Sequence, residues 1–274
     1  MVSRRDLLRT MIAGGVVAAT QPTIAVASAV GDTGVRDFIT KSKNFNMTFT
    51  DDIILRGGQY RLLKQVTNRL SKIQSLVGYA NFALLNFDAA IQYAAKYSSV
   101  GAFTNSEKDF LEQIFYTNAH DYGFFGEKIL TRLTDGIPSR DVKKVRGTGH
   151  FIYKGDSQRL YNKIRKDVGN TIILTSGIRG VVKQMYLFLS KALGAGGNLS
   201  KAARSLAPPG HSFHGVGDFD VGKRGYGYRN FTADFSNTVE FKRLKELGYV
   251  KIRYPEENPF GVRYEPWHIK VVKI

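Results

Sequence analysis

Cysteine is absent from all 274 residues, which removes disulfide staples, thiolate nucleophiles and Cys-type zinc sites together. A chain of this length buries enough surface to fold without staples. Any metal is then held by His and carboxylate alone, a donor set that favours a catalytic over a structural ion. Acidic residues are scarce: 23 Asp and Glu stand against 40 Lys and Arg, a formal net charge of +17. The excess is uneven, with 21 basic against 10 acidic residues over 151–274 and 19 against 13 over 1–150. Such a field attracts anionic polymers or membrane surfaces. No arginine-rich tract, zinc-finger spacing or RNP-like aromatic motif accompanies it, so nucleic acid is not an expected partner. Internal repeats and low-complexity blocks are lacking as well.

One long uncharged run is present, Met11 to Ala29, directly after Ser3-Arg4-Arg5-Asp6-Leu7-Leu8-Arg9. A twin arginine ahead of an apolar stretch that closes on Ala25-Val26-Ala27 and Ala27-Ser28-Ala29 resembles a twin-arginine export signal, expected over residues 1–29. An uncleaved membrane anchor is the competing reading, and Gln21-Pro22 within an Ala/Gly-rich stretch argues against it. No later segment is apolar enough to span a bilayer. The expected product is exported folded, to a periplasmic or cell-wall location.

After the signal, residues 30–140 read as helical. Leu62, Leu63, Val66, Leu70 and Ile73, then Ala83, Leu84, Phe87, Ile91 and Ala94, recur at three- and four-residue steps, which predicts two helices with a break near Gly78. Thr104 followed by Glu107 predicts a capping box opening another helix. The period stops at Asp135-Gly136-Ile137-Pro138-Ser139, a cluster of turn residues that marks a boundary. From there the pattern is mixed. Helices are predicted over 157–168, 181–193 and 238–247, and strands over 171–175, 249–253 and 268–272. The strand at 171–175 delivers Arg179 to its C-terminal edge.

Two clusters in this second region can do chemistry. Ser212-Phe213-His214-Gly215-Val216-Gly217-Asp218-Phe219-Asp220 and Glu265-Pro266-Trp267-His268 together offer two imidazoles and a carboxylate to a borderline metal. A further carboxylate, Glu265, stands beside the second imidazole. Three protein ligands with a fourth position open, plus an acid/base, are what a catalytic zinc site needs. Zinc lowers the pKa of water to about 7, so Glu265 can take its proton at neutral pH and later pass it to a leaving amine. Pro266 fixes the backbone before His268, and Trp267 offers a rigid wall. His120, His150 and His211 are expected to be ordinary histidines.

Further residues fall in register with these. Ser176-Gly177-Ile178-Arg179, Gln184, Pro208-Pro209-Gly210, Ser212-x-His214-x-x-Gly217, Asp220-Val221, Arg253-Tyr254-Pro255 and Glu265-Pro266-Trp267-His268 resemble, in the same order, the VanY-type D-alanyl-D-alanine carboxypeptidases. That zinc DD-peptidase family shares its fold with the hedgehog signalling domain, and the resemblance runs over roughly residues 170–272. It implies an α+β domain over 141–274, with a small antiparallel sheet carrying the metal. It also implies one Zn2+ on His214, Asp220 and His268, Glu265 as general base, and Arg179 beside the carbonyl oxygen, where one preorganised donor is worth about 3 kcal/mol. Ser212, Gln184 and Trp267 are the expected substrate contacts, although Ser212 also reads as a turn residue bonded to its own backbone.

The family aspartate usually stands seven residues after the first histidine. Here Asp220 is six after His214 and Asp218 four after it. Asp220 is the expected ligand, because Phe219-Asp220-Val221 reproduces the apolar flanks, and Asp218 is the alternative, since alternation in a strand puts both on one face. The implied substrates are peptidoglycan stem peptides ending in D-alanine. A carboxypeptidase is the leading expectation, a cross-link endopeptidase the alternative, and a metal-free wall-binding protein or a signalling module with structural zinc are readings of other classes.

Overall fold

The computed structural model describes residues 32–272, so the expected export signal at 1–29 lies outside the described residues. The described residues from Asp37 onward form one compact unit. No helix among the described residues is long and apolar enough to cross a membrane.

Among the described residues, nine α-helices and six strands follow in chain order: α1 (Asp32–Lys43), α2 (Gly57–Val77), α3 (Tyr79–Phe82), α4 (Phe87–Lys96), α5 (Asn105–Tyr116), β1 (Val142–Val145), β2 (His150–Tyr153), α6 (Asp156–Val168), β3 (Ile172–Ser176), α7 (Val181–Gly194), α8 (Leu199–Ala203), β4 (Phe219–Lys223), α9 (Val239–Glu246), β5 (Lys251–Tyr254) and β6 (Glu265–Lys270). The fold is α+β, as the resemblance implies.

The predicted break at Gly78 is present: the residue sits at φ 84°, where helix α2 stops, a conformation glycine adopts without steric cost. The capping box also forms. The Thr104 Oγ1 accepts from the Glu107 backbone N–H at 3.2 Å, and the Glu107 Oε2 accepts from the Thr104 backbone N–H at 2.8 Å. Glu107 then reaches across to Arg69 on α2 at 3.1 Å, so the start of α5 is pinned to a neighbouring helix.

Leu63, Val66, Leu70 and Ile73 on α2 pack with Phe110, Leu111 and Phe115 on α5 and with Val182, Met185, Phe188 and Leu189 on α7. Each such side chain contributes roughly 1.5–3 kcal/mol by leaving water. Helix α7 belongs to the sequence after residue 141 yet completes the core built by the helices before it. The helical region of 30–140 and the region that follows therefore share one apolar core.

A four-stranded antiparallel sheet runs in the order β3-β4-β6-β5. Ile172 and Leu174, Phe219 and Val221, and Ile269 enter a second core with Tyr161 and Ile164 of α6 and Phe241 and Leu244 of α9. Alternation leaves Asp220 and His268 for the other side, and they are direct cross-strand partners. A register shift interrupts the β3–β4 pairing between Leu174 and Ser176. Bulges of this kind re-aim side chains near active sites. Strand β6 begins at Glu265 rather than at the expected 268, because Tyr254 pairs with Glu265. A separate hairpin of β1 and β2 was not legible in the apolar period, since Lys143 and Lys144 occupy its first strand.

Candidate metal centre and its cleft

Three of the expected residues converge. His214, Asp220 and His268 are all buried, and one ligand atom from each lies within 4.8 Å of the other two. His268 and Asp220 come from neighbouring strands, and His214 from a tight turn, Phe213–Gly215, that precedes β4. The imidazole rings of His214 and His268 are 4.7 Å apart between centroids.

Each ring is oriented by a partner on its outer side. The His214 Nδ1 donates to the Gly177 carbonyl oxygen at 2.6 Å. A carbonyl only accepts, so the proton sits on Nδ1 and the Nε2 lone pair faces the centre. Burial, together with the Arg179 charge, pushes the His214 pKa down and keeps that ring neutral. Gly177 can approach this closely because it has no side chain: a Cβ there would meet the Phe151 carbonyl oxygen at 1.9 Å. The turn carrying His214 is tied down by Tyr153, which donates to the Gly215 carbonyl at 2.8 Å, and by Ser157, which donates to that of Gly217 at 2.7 Å.

His268 is flanked by carboxylates on both nitrogens, Asp218 Oδ2 at 3.1 Å from Nε2 and Glu265 Oε2 at 3.2 Å from Nδ1. Burial would lower its pKa, but the bonds to Asp218 and Glu265 and the Asp220 charge outweigh it and push it up to about 9. Asp220 is perturbed the other way: burial favours its neutral form, yet the Arg179 charge, with that of His268, holds its carboxyl well below the usual range.

The two aspartates divide the work. Asp220 Oδ1 lies 3.2 Å from His214 Nε2 and 3.8 Å from His268 Nδ1, at the centre of the cluster. Asp218 stands behind His268, held by Arg253 Nε at 2.7 Å and by the Val271 backbone N–H at 2.9 Å. Carboxylate–histidine pairs of this kind fix the ring and its tautomer in metal sites. Both aspartates address the His268 ring, from opposite edges.

His214 Nε2 and Asp220 Oδ1 are buried, lack a well-formed hydrogen bond in the protein, and point at the same spot. Orphaned buried polar atoms are costly, and two imidazole nitrogens with a carboxylate oxygen are a donor set for a divalent metal. The residues therefore fit a metal ion.

Around the cluster runs an open cleft of about 430 Å³ whose walls include Arg179, Ser212, Glu265, Trp267 and, farther along, Lys191, Phe231 and Arg263. Arg179 is anchored by its Nε on Ser176 Oγ at 2.9 Å and by Nη2 on Asp220 Oδ2 at 2.5 Å. Gln184, expected among the substrate contacts, is instead behind the wall. It is buried and donates to the Ala207 carbonyl, bracing the Pro208-Pro209-Gly210 approach to the histidine turn. His211 ties down a loop through the Gly126 and Glu127 carbonyls at 3.1 and 3.0 Å. His150 lies on β2, its pKa pushed down to about 4 by burial and the Arg179 charge, and neither ring joins the metal cluster.

A buried His/Asp/His cluster on one face of a small antiparallel sheet, with helices packed on the other, gives an α+β domain whose residues could hold a metal ion. Residues 153–274 match the family model described as VanY, D-alanyl-D-alanine carboxypeptidase. Among solved structures, the LdcB LD-carboxypeptidase, reported as revealing the basis of peptidoglycan recognition, is 27% identical over 49% of this chain and 69% of its own, with a TM-score of 0.40. VanYB in complex with D-alanine-D-alanine is 26% identical over 50% of this chain and 81% of its own, with a TM-score of 0.37. A VanY D,D-pentapeptidase variant from a VanB-type resistance cassette, in complex with Zn(II), is 25% identical over 50% and 83%, with a TM-score of 0.35. No curated protein sequence matches significantly.

Proposed function

We propose that this chain is a zinc-dependent peptidase that hydrolyses D-alanyl-D-alanine type bonds at the ends of peptidoglycan stem peptides. The observation that supports this most directly is the pair of unpartnered buried atoms, His214 Nε2 and Asp220 Oδ1, beside the His268 ring. His214, Asp220 and His268 would hold the ion, three ligands that leave one position open. Zinc there supplies Lewis acidity toward the scissile carbonyl and makes water acidic enough to lose a proton near neutral pH.

The rest of the chemistry falls to side chains. Glu265 lines the cleft next to His268 and accepts the proton of the attacking water, then delivers it to the departing amine. Arg179, fixed by Ser176 and Asp220, stabilises the carbonyl oxygen as negative charge develops on it. Trp267 forms an apolar wall that excludes water, and Ser212 contacts the peptide backbone or carboxylate. Export through the twin-arginine signal expected at 1–29 brings the enzyme to its substrate, on the periplasmic or cell-wall side, where the net charge of +17 favours an anionic wall or membrane surface.

Incubation of the protein with zinc and a stem pentapeptide tests the proposal. Release of D-alanine by mass is the expected result. Cleavage confined to cross-linked dimers would make it an endopeptidase, and no cleavage of either would leave a wall-binding protein on a peptidase scaffold.

A further inference from the structure

The far wall of the cleft holds a second group of polar atoms without partners. Arg263 is fixed from several sides: its backbone N–H donates to the Arg204 carbonyl at 2.8 Å, and its Nη2 to the Phe231 carbonyl at 3.0 Å. Its guanidinium lies over the rings of Phe45 and Trp267, at 4.7 and 4.8 Å from their centroids. Its Nε is nevertheless buried with no hydrogen-bond partner, and so is the Oγ of Ser190 on the same wall. Lys191 stands at the rim of this wall.

No carboxylate pairs with Arg263 or Lys191 among the described residues. Four other buried or half-buried arginines do hold a carboxylate, Arg69 on Glu107, Arg179 on Asp220, Arg204 on Asp52 and Arg253 on Asp218, while Arg165 is met by the Ile172 carbonyl and the Asn170 side chain. Withdrawing a guanidinium from water without a paired carboxylate is unfavourable; burial presses the Arg263 pKa downward, and the more distant charges of Glu265 and Asp220 offset this only in part. Its guanidinium, held between two rings, lines the cleft with N–H donors that a carboxylate accepts.

We propose that Arg263, with Lys191 at the rim, forms an anchoring subsite that takes a carboxylate of the bound peptide, apart from the His214, Asp220 and His268 cluster. The identity of the ligand as a peptide rests on the peptidase reading. The carboxylate is either the free C-terminus or one on the acyl side of the scissile bond, and both present the same chemistry to the guanidinium.

Trp267 is the only tryptophan in the chain and lies against Arg263, so its fluorescence reports occupancy without requiring turnover. Three peptides are titrated into the full-length protein: a stem pentapeptide with all carboxylates free, the same peptide amidated at its C-terminus, and the same peptide with its acyl-side carboxylates amidated. The parent protein is expected to bind one of the amidated peptides about tenfold or more weakly, which identifies the carboxylate. Arg263→Gln is expected to weaken the free peptide by a similar factor and to abolish that discrimination. Lys191→Gln, at an exposed position that does not support the fold, is expected to show the same pattern at a few-fold level. Equal affinity of the parent for all three peptides, or an equal loss for all three in Arg263→Gln, overturns the subsite. If no D-alanine is released but Arg263-dependent discrimination persists, the peptidase reading falls and the subsite stands.

Discussion

The helical core and the cleft differ in how their buried charged groups are paired. Under the helices, charge is matched: Arg204 grips Asp52 through both terminal nitrogens, at 2.7 and 3.0 Å, and Glu107 serves a helix cap and Arg69 together. In the cleft, His214 Nε2, Asp220 Oδ1 and Arg263 Nε are buried without well-formed partners. Single unpartnered atoms also occur away from the cleft, at Thr67 Oγ1, Arg204 Nε and Glu240 Oε2. The pointer to function is therefore the convergence of His214 Nε2 and Asp220 Oδ1 on one point, 3.2 Å apart beside the His268 ring, rather than an orphaned atom as such.

Perturbing each region separately tests that division, and the largest effect is expected in the cleft. Glu265→Ala should lower turnover by about 10²–10⁴-fold while bound zinc stays stoichiometric, measured by steady-state kinetics beside metal analysis. A parallel loss of metal would turn Glu265 from a base into a ligand. In the helical core, Phe188→Ala should destabilise by about 3–5 kcal/mol in denaturant unfolding, with zinc affinity of the folded fraction unchanged, because Phe188 is fully buried in the core and touches no ligand. Coupling between the two readouts would show that core and site are not independent.

The boundary between them is subtler. Asp218→Asn removes the charge behind His268 without moving a ligand, and loss of a carboxylate that orients a ligating histidine typically costs about 10–100-fold in metal affinity. An unchanged affinity in a metal-competition titration would mean that Arg253 and Asp218 serve only the fold. A gentler probe is pH. His268 in the metal-free protein is raised from 6.5 to about 9, so its protonated form stabilises the native state. That contribution is fully present below pH about 6.5 and is lost as pH rises through about 9. Metal must displace the same proton, so zinc affinity should climb over the window in which metal-free stability declines. Parallel trends in calorimetric stability and zinc affinity would contradict the assignment.

Much of the site was legible in the sequence because its parts are short and local. The Ser-x-His turn, the Glu-Pro-Trp-His strand and Arg179 after a β-branched run each appear as compact strings, and the cross-strand pairing of Asp220 with His268 is what brings two of them together. The choice between Asp218 and Asp220 was harder, since both lie on one side of the chain and only the register shows which edge of the imidazole each meets. Gln184 misled because a motif position does not reveal side-chain direction: on α7 it turns inward to Ala207. Arg263 carried no local signal at all. Its significance comes from Phe45, Phe231 and Trp267, which are far apart in sequence and converge only in the fold.

The central claim is that His214, Asp220 and His268 hold one ion. The most direct measurement is metal analysis of the purified protein beside His214→Ala, with circular dichroism confirming that both are folded. One zinc per chain in the parent and none in His214→Ala is the predicted result. A parent protein that takes up no stoichiometric zinc, or a variant that retains it undiminished, would contradict the account.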